Sequence, residues 1–302
     1  MSLGLPIIQA GQEGERKLSQ RPEWLKVKIP GGVGYTEIKS LVNKYHLHTV
    51  CEEARCPNIA ECWSRRTATF MILGDVCTRS CGFCAVKTGR PIGVDYDEPR
   101  RVADAVVRLN LRHAVITSVN RDELPDGGAG IFAATIREVR RRMPSCSIEV
   151  LIPDFRGDEF ALQVVMKTKP DILNHNTETI ARLYSSVRPQ ANYRQSLELL
   201  SRAKASGMVT KSGFMMGLGE SVDEAKVLLS DLKEAGVDIA TIGQYLQPTP
   251  QHLPVQRFVS PQEFDELRDY GLSMGLRHVE SGPLVRSSYH ADTQAESATR
   301  AV

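Results

Sequence analysis

At 302 residues the chain has room for one large domain or two small ones, and 41% apolar with 25% charged residues is the balance of an ordinary globular protein. A net charge of +2 is too small to argue for nucleic acid or an anionic membrane, and no apolar run approaches the roughly 18–20 residues that span a bilayer. The opening MSLGLPIIQAGQEGERK has no basic residue ahead of its apolar part and does not read as a secretory signal, so a reducing cytoplasm or organelle matrix is expected.

In chain order, RPEWLKVKIPGG reads as an arm that Trp24 pins to a surface. TEIKSLVNKYHL follows with Ile38, Leu41, Val42 and Tyr45 at helical spacing, which predicts a short helix capped by Thr36. Then come two cysteine triplets. CEEARCPNIAEC places Cys51, Cys56 and Cys62 as C-x₄-C-x₅-C, and CTRSCGFC places Cys77, Cys81 and Cys84 as C-x₃-C-x₂-C. Six of seven cysteines therefore fall in one short region, which in a reducing compartment points to metal binding or catalysis rather than disulfides. Cys146, just before an apolar run, reads as a small buried hydrophobe.

From about residue 68 short apolar runs alternate with amphipathic ones: ATFMILG, HAVITSV, SIEVLIP, DILNHN, VTKSGFMMG and IATIGQYLQ, each followed by a stretch of helical periodicity. Such alternation implies α/β architecture with a parallel sheet and crossover helices. Six units, not the eight of a closed barrel, predict a partial (β/α)6 TIM-type barrel over 68–275, with an open doubly wound sheet as the alternative. Residues 1–67 form an N-terminal arm and cysteine segment, and 276–302 a C-terminal tail. No G-x-G-x-x-G follows the first strand, which counts against a dinucleotide fold. The second triplet directly follows ATFMILGDV, at the strand end where barrels build their sites.

Three thiolates leave a choice. Sharing ligands, with His46 or His48 added, the triplets make a structural zinc site; yet there is a single C-x₂-C, Cys81 to Cys84, where zinc knots show pairs. An electron carrier wants four cysteines per cluster, which six cannot supply twice. A cluster with one iron left open to substrate is the third design.

C-x₃-C-x₂-C after the first strand resembles the motif of the radical S-adenosylmethionine (SAM) enzymes. The resemblance implies that Cys77, Cys81 and Cys84 hold a 4Fe–4S cluster whose free iron binds SAM, and that reductive cleavage of SAM gives a 5′-deoxyadenosyl radical that abstracts hydrogen. It assigns Phe83 to the adenine. GFMMGLGE, Gly213–Glu220, is similar to the family's G-x-I-x-G-x-x-E run, bringing in Met215 and Glu220. The family's GGE motif is absent; SVNRDEL stands there and offers Asn120. NHNTET offers Asn176 and Glu178 to the ribose, or plain helix caps. Arg188 is either a partner of the SAM carboxylate or a surface arginine.

PEWLK, both triplets, GFCAVKTGRP, SVNRDELPDGGA, HNTET, GLGE and RSSYHA together resemble the lipoyl synthases over nearly the whole chain. That resemblance implies a second, auxiliary 4Fe–4S cluster on Cys51, Cys56 and Cys62, completed by a serine of RSSY. Ser287 and Ser288 both fit, and the family pattern points to Ser288. A serine oxygen is a hard ligand on a soft site. The implied reaction inserts two sulfurs at carbons 6 and 8 of an octanoyl chain on a lysine of a lipoyl carrier domain, with the auxiliary cluster as sulfur donor. The implied partners are octanoylated carrier domains (2-oxoacid dehydrogenase complexes and the glycine cleavage H protein), a ferredoxin or flavodoxin type electron donor and a cluster-rebuilding protein, with no nucleic acid or membrane. An apolar tunnel between the clusters is expected. Arg286 shapes its mouth or pairs with a carboxylate, and Arg137, Arg140, Arg141 and Arg142 dock an acidic carrier or form a solvated helix face. A relative of biotin synthase and a non-catalytic cluster or zinc protein are the competing readings.

Overall fold

The computed structural model describes residues 21–26, 33–45, 47–53, 56–65, 67–291 and 293–294. The opening MSLGLPIIQAGQEGERK, the glycines of IPGG and His46 lie outside the described residues.

Seven parallel strands pair in chain order: β1 (Thr67–Ile72), β2 (His113–Ser118), β3 (Ser147–Leu151), β4 (Ile172–Asn174), β5 (Thr210–Met216), β6 (Ile239–Gln244) and β7 (His278–Gly282). Six helices cross over between them: α1 (Glu98–Arg108), α2 (Ala129–Arg142), α3 (Glu159–Met166), α4 (Tyr193–Ala205), α5 (Val222–Glu234) and α6 (Pro261–Ser273). A two-residue strand, His48–Thr49, runs antiparallel along β1, and the sheet stays open between that edge and β7. The six expected units are present, and β7 is a seventh strand in the stretch read as tail.

The runs fold this way because parallel strands are covered on both faces, so β1 and β6 are buried along their whole length. Each helix turns one apolar stripe inward; on α2 these are Ile131, Phe132, Ile136 and Val139. Helices α5 and α6 start at capping boxes, Ser221 with Glu224 and Ser260 with Glu263, and Pro261 occupies the first turn of α6. The core has two main parts, one joining β1–β4 to the helix Val33–Lys44 through Ile38 and Val42, the other around β5–β7. Each fully buried aliphatic side chain contributes about 1.5–3 kcal/mol.

Two expectations are corrected here, and one choice is narrowed. Trp24 is 43% exposed, and it is its neighbour Leu25, 3% exposed, that anchors the arm. The helix begins at Val33, so Thr36 sits inside it rather than capping it; the turn preceding the apolar stripe continues the helical conformation. On α2, Arg140 pairs with Asp171, Arg141 with Glu138, and Arg142 with Glu138 and Asp104. Those three positive charges are compensated within the chain, so the solvated-face reading holds for them over a basic docking surface.

Candidate functional site

The loop carrying Cys77, Cys81 and Cys84 lies over the C-terminal ends of the strands, tied to four other segments. The Cys77 sulfur accepts from the backbone N–H groups of Arg79 (3.4 Å) and Asn120 (3.3 Å). Arg79, buried, donates to Asp122 after β2 (2.8 Å) and Asp154 after β3 (2.6 Å), and its charge holds the Asp154 carboxyl down at about 2. The Gly82 N–H donates to the Val187 carbonyl (2.9 Å), the Gly82 carbonyl accepts from Leu253 (2.9 Å), and the His252 ring donates to the Cys84 carbonyl (2.9 Å). A Cβ at Gly82 would lie 2.8 Å from the Leu253 side chain, so this approach requires glycine. Neither Arg79 nor His252 stood out in the sequence, since nothing local marks an arginine whose partners are 43 and 75 residues away.

The residues expected at this mouth are partly gathered there. Phe83 and Met215 pack into one apolar cluster with Val187, Leu218 and Tyr245. Asn176 is buried; its side-chain N–H donates to Glu178 (3.1 Å). Glu178 joins β5 through its backbone, with Gly213 and Met215 as partners at 2.9 Å, and burial pushes its carboxyl up. Arg188 is buried, not a surface arginine: its guanidinium donates to the Asn176 and Thr177 carbonyls (2.9 and 3.2 Å) and lies beside Cys81 and Glu178. Its Nε is buried with no hydrogen-bond partner among the described residues, an unused donor at the thiol loop. Asn120 serves the loop through its backbone, giving its N–H to Cys77 and its carbonyl to Thr78. Glu220 differs from expectation: its carboxylate accepts the backbone N–H groups of Gly217 and Leu218, so it closes the Gly-rich turn instead of offering oxygens to a ligand. Gly217 there has φ +103°, and a Cβ would meet the Gln244 amide at 2.1 Å.

The first triplet, Cys51, Cys56 and Cys62, lines a small cavity whose wall also includes Asn58, Thr67, Thr69, Arg286, Ser288 and Tyr289. Thus Cys51, Cys56 and Cys62 meet the C-terminal motif in space. The two serines are distinguished by their neighbours. Ser287 donates to the Asn176 side chain (3.1 Å) and accepts from Asn174 (2.8 Å), whereas Ser288 belongs to the cavity. Further ties dock the tail: Asn58 donates to the Leu284 carbonyl (2.6 Å), and Tyr289 and His290 reach Glu61 at 3.2 and 3.0 Å. Arg286 shares the cavity wall with Cys56 and is half-buried there. The RSSY segment thus reaches both sites, lining the cavity through Arg286, Ser288 and Tyr289 and touching Asn176 through Ser287, while Arg188 ties Asn176 toward the thiol loop.

Burial pushes the thiols up, Cys51 to about 11 and Cys84 to about 12, with Cys56, Cys62 and Cys81 also raised. The free chain holds them as neutral thiols, and iron must displace those protons. Among the described residues no group of three His, Cys, Asp or Glu side chains is set to hold one metal ion. In a 4Fe–4S cluster each iron takes one thiolate, so its ligands need not converge on a single ion. The donor sets fit: three thiols at one site, with the Arg188 guanidinium beside them as a positive charge, and three thiols and a hydroxyl at the other.

Beneath the tail, inside the barrel, Lys211 and Glu149 form a fully buried pair at 2.9 and 3.0 Å, with His113 at 3.6 Å from Glu149. Asn174 donates both to Glu149 (3.0 Å) and to Ser287, so this pair supports the RSSY segment from below.

Comparison with known proteins agrees with this arrangement. The radical SAM superfamily matches residues 71–232, and the N-terminal domain of lipoyl synthase of the radical SAM family matches 9–56. The chain is 63% identical over 288 residues to a lipoyl synthase of Rubrobacter xylanophilus, covering 95% of this chain and 90% of the relative. It is 57% identical over 296 residues to that of Symbiobacterium thermophilum, covering 97% and 92%. Among solved structures, Streptococcus suis SuiB bound to S-adenosylmethionine superposes with TM-score 0.56 at 11% identity (75% of this chain, 54% of that one), and the hydrogenase maturase HydG with 0.51 at 13% (86% and 74%), a likeness of fold alone. With a radical SAM barrel, a lipoyl synthase N-terminal domain and this identity over almost its full length, the chain belongs to the lipoyl synthase family.

Proposed function

We propose that this enzyme inserts two sulfur atoms, at carbons 6 and 8, into an octanoyl chain carried on a lysine of a lipoyl carrier domain, with Cys77, Cys81 and Cys84 holding a SAM-binding 4Fe–4S cluster and Cys51, Cys56, Cys62 and Ser288 holding an auxiliary one. The observation that carries this reading is the cavity in which three N-terminal thiols meet Ser288. When bound, the clusters and SAM supply the radical chemistry and the sulfur.

The chain's own part is to bind, orient and exclude water. Arg79 locks the thiol loop onto the ends of β2 and β3. Phe83 and Met215 give the adenine an apolar seat, while Asn176, Glu178 and Arg188 present polar groups to the ribose and carboxylate. Glu220 acts only through the turn it closes, and Asn120 through its backbone. Arg286, on the wall of the cavity with Cys56 and Ser288, holds a positive charge beside the auxiliary thiols. The remaining partners are those that family membership implies: an electron donor of ferredoxin or flavodoxin type, a protein that rebuilds the spent cluster, and the octanoylated domains of 2-oxoacid dehydrogenase complexes and the glycine cleavage H protein, in the cytoplasm.

The test is anaerobic. Reconstituted protein, reduced and given SAM with an octanoylated lysine peptide, is expected to form 5′-deoxyadenosine and a singly, then doubly thiolated peptide by mass spectrometry. Deoxyadenosine without sulfur on the peptide refutes the substrate assignment. One zinc per chain in place of about eight irons returns the protein to the non-catalytic class.

A further inference from the structure

We propose that the indole N–H of Trp63 is a hydrogen-bond donor to the Cys51 corner of the auxiliary cluster, making Trp63 a positioning residue that tunes that cluster. The inference rests on the auxiliary-cluster reading above and adds a residue that the ligand set does not contain.

Trp63 is 0% exposed, and its Nε1 has no hydrogen-bond partner among the described residues. Indole can donate and cannot accept, and burying an unpaired donor is costly, so such groups in folded chains call for an explanation. The acceptor beside it is the Cys51 sulfur, which the indole N–H already reaches though without good hydrogen-bond geometry; the Thr69 hydroxyl and backbone amide reach it too. The ring has little freedom to turn elsewhere. Tyr35 stacks on it with centroids 5.1 Å apart and planes 28° apart, and the short helix Ile59–Ser64 carries Cys62 and Trp63 side by side.

In the free chain Cys51 is a thiol, and thiol sulfur is a weak acceptor. Bound to iron it is a thiolate, and hydrogen bonds to charged acceptors are roughly twice as strong. The contact, too poorly formed in the free chain to satisfy the donor, is thus strengthened when the cluster is in place. The other corners differ: Cys62 stands against Glu61 and Arg65, and Ser288 brings only an oxygen. Hydrogen bonds to cluster sulfur stabilise the more negative, reduced state and raise the reduction potential.

The experiment uses the full chain with Trp24→Phe, which leaves Trp63 as the sole tryptophan of the two. With ¹⁵N-labelled indole, the Trp63 Nε1 proton is expected to shift strongly, through the iron spins, when the cluster-free protein is loaded. Potentiometric titration followed by electron paramagnetic resonance, with SAM added to set the signals of the two clusters apart, gives the auxiliary potential. Trp63→Phe keeps the ring against Tyr35 and removes only the donor; the expected change is a roughly tenfold loss of preference for the reduced cluster, about 59 mV more negative for one electron. If the phenylalanine variant folds poorly, benzothienylalanine at position 63 keeps the bicyclic shape without the N–H. An unchanged potential in a fully loaded variant, or an indole proton that does not move on loading, overturns the proposal. A parent chain that binds only about four irons overturns the auxiliary-cluster reading itself, and the iron count tells the two failures apart.

Discussion

Replacing Lys211 with methionine removes one partner from an ion pair with no solvent access. Both side chains are 0% exposed, and the ammonium donates to both Glu149 oxygens at 2.9 and 3.0 Å. Burial pulls the Lys211 ammonium toward its neutral form, while the lysine and His113 hold the Glu149 carboxyl well below its usual range, at about 2. Lys211→Met therefore strands a buried carboxylate whose remaining partners are the Asn174 amide and His113. Breaking a buried pair in this way costs about 3–5 kcal/mol. The double variant Glu149→Gln/Lys211→Met removes both charges and keeps an amide oxygen to accept from Asn174, so it is expected within about 1 kcal/mol of the parent, since replacing a whole buried pair is often neutral. Urea unfolding of cluster-free protein near neutral pH, under reducing conditions, measures both. A single variant within 1 kcal/mol of the parent, or a double variant as unstable as the single, refutes the reasoning.

Ser288→Cys should keep deoxyadenosine formation but leave the octanoyl peptide without sulfur, because a thiolate corner is harder to release than an oxygen one; full turnover removes the idea of a labile corner. Arg79→Lys loses the planar fork that spans Asp122 and Asp154, so the chain should retain roughly half its iron, the auxiliary share, by chemical iron analysis; full loading contradicts the locking role. His175, buried between the Ile152 carbonyl and Ser196, has its pKa lowered from 6.5 to about 4, mainly by burial. Its folded pKa lies below its unfolded one, so its contribution is complete above about pH 6.5 and up to about 3 kcal/mol is lost as pH falls through 4. His175→Gln should flatten that part of the stability–pH curve, and an unaltered slope would falsify the assignment.

Much of this architecture is legible in the sequence because the parallel strands are β-branched or apolar and fully covered. The seventh strand escapes for the opposite reason: HVESG alternates polar residues, and His278 and Glu280 pair with each other beside the tail. Charge is legible only as a sum, so the sequence leaves the arginines of α2 between a docking surface and a solvated face, and only contact shows Asp104, Glu138 and Asp171 pairing with three of them. The cysteine spacings announce two soft sites but not their relation. Ser288 entered only through family resemblance, and the reason it rather than Ser287 lines the cavity is spatial: Ser287 is held by two asparagines, Asn174 at the end of β4 and Asn176 just beyond it. Arg188 was ambiguous because burial, which decides its role, is not a local property of RPQ.

The docking of the RSSY segment against the first cysteine triplet also fixes when that site can exist. Glu61 and Tyr289, in contact in the folded protein, are 228 residues apart in sequence. Synthesis proceeds at about 5–20 residues per second, so the three thiols emerge about 10–45 s before the serine that completes their set. During translation they are an unfinished soft-metal site that lacks the oxygen ligand the docked tail supplies. The auxiliary site is accordingly the last part of the molecule to be finished, and a chain stopped before β7 carries the cysteines without the means to use them.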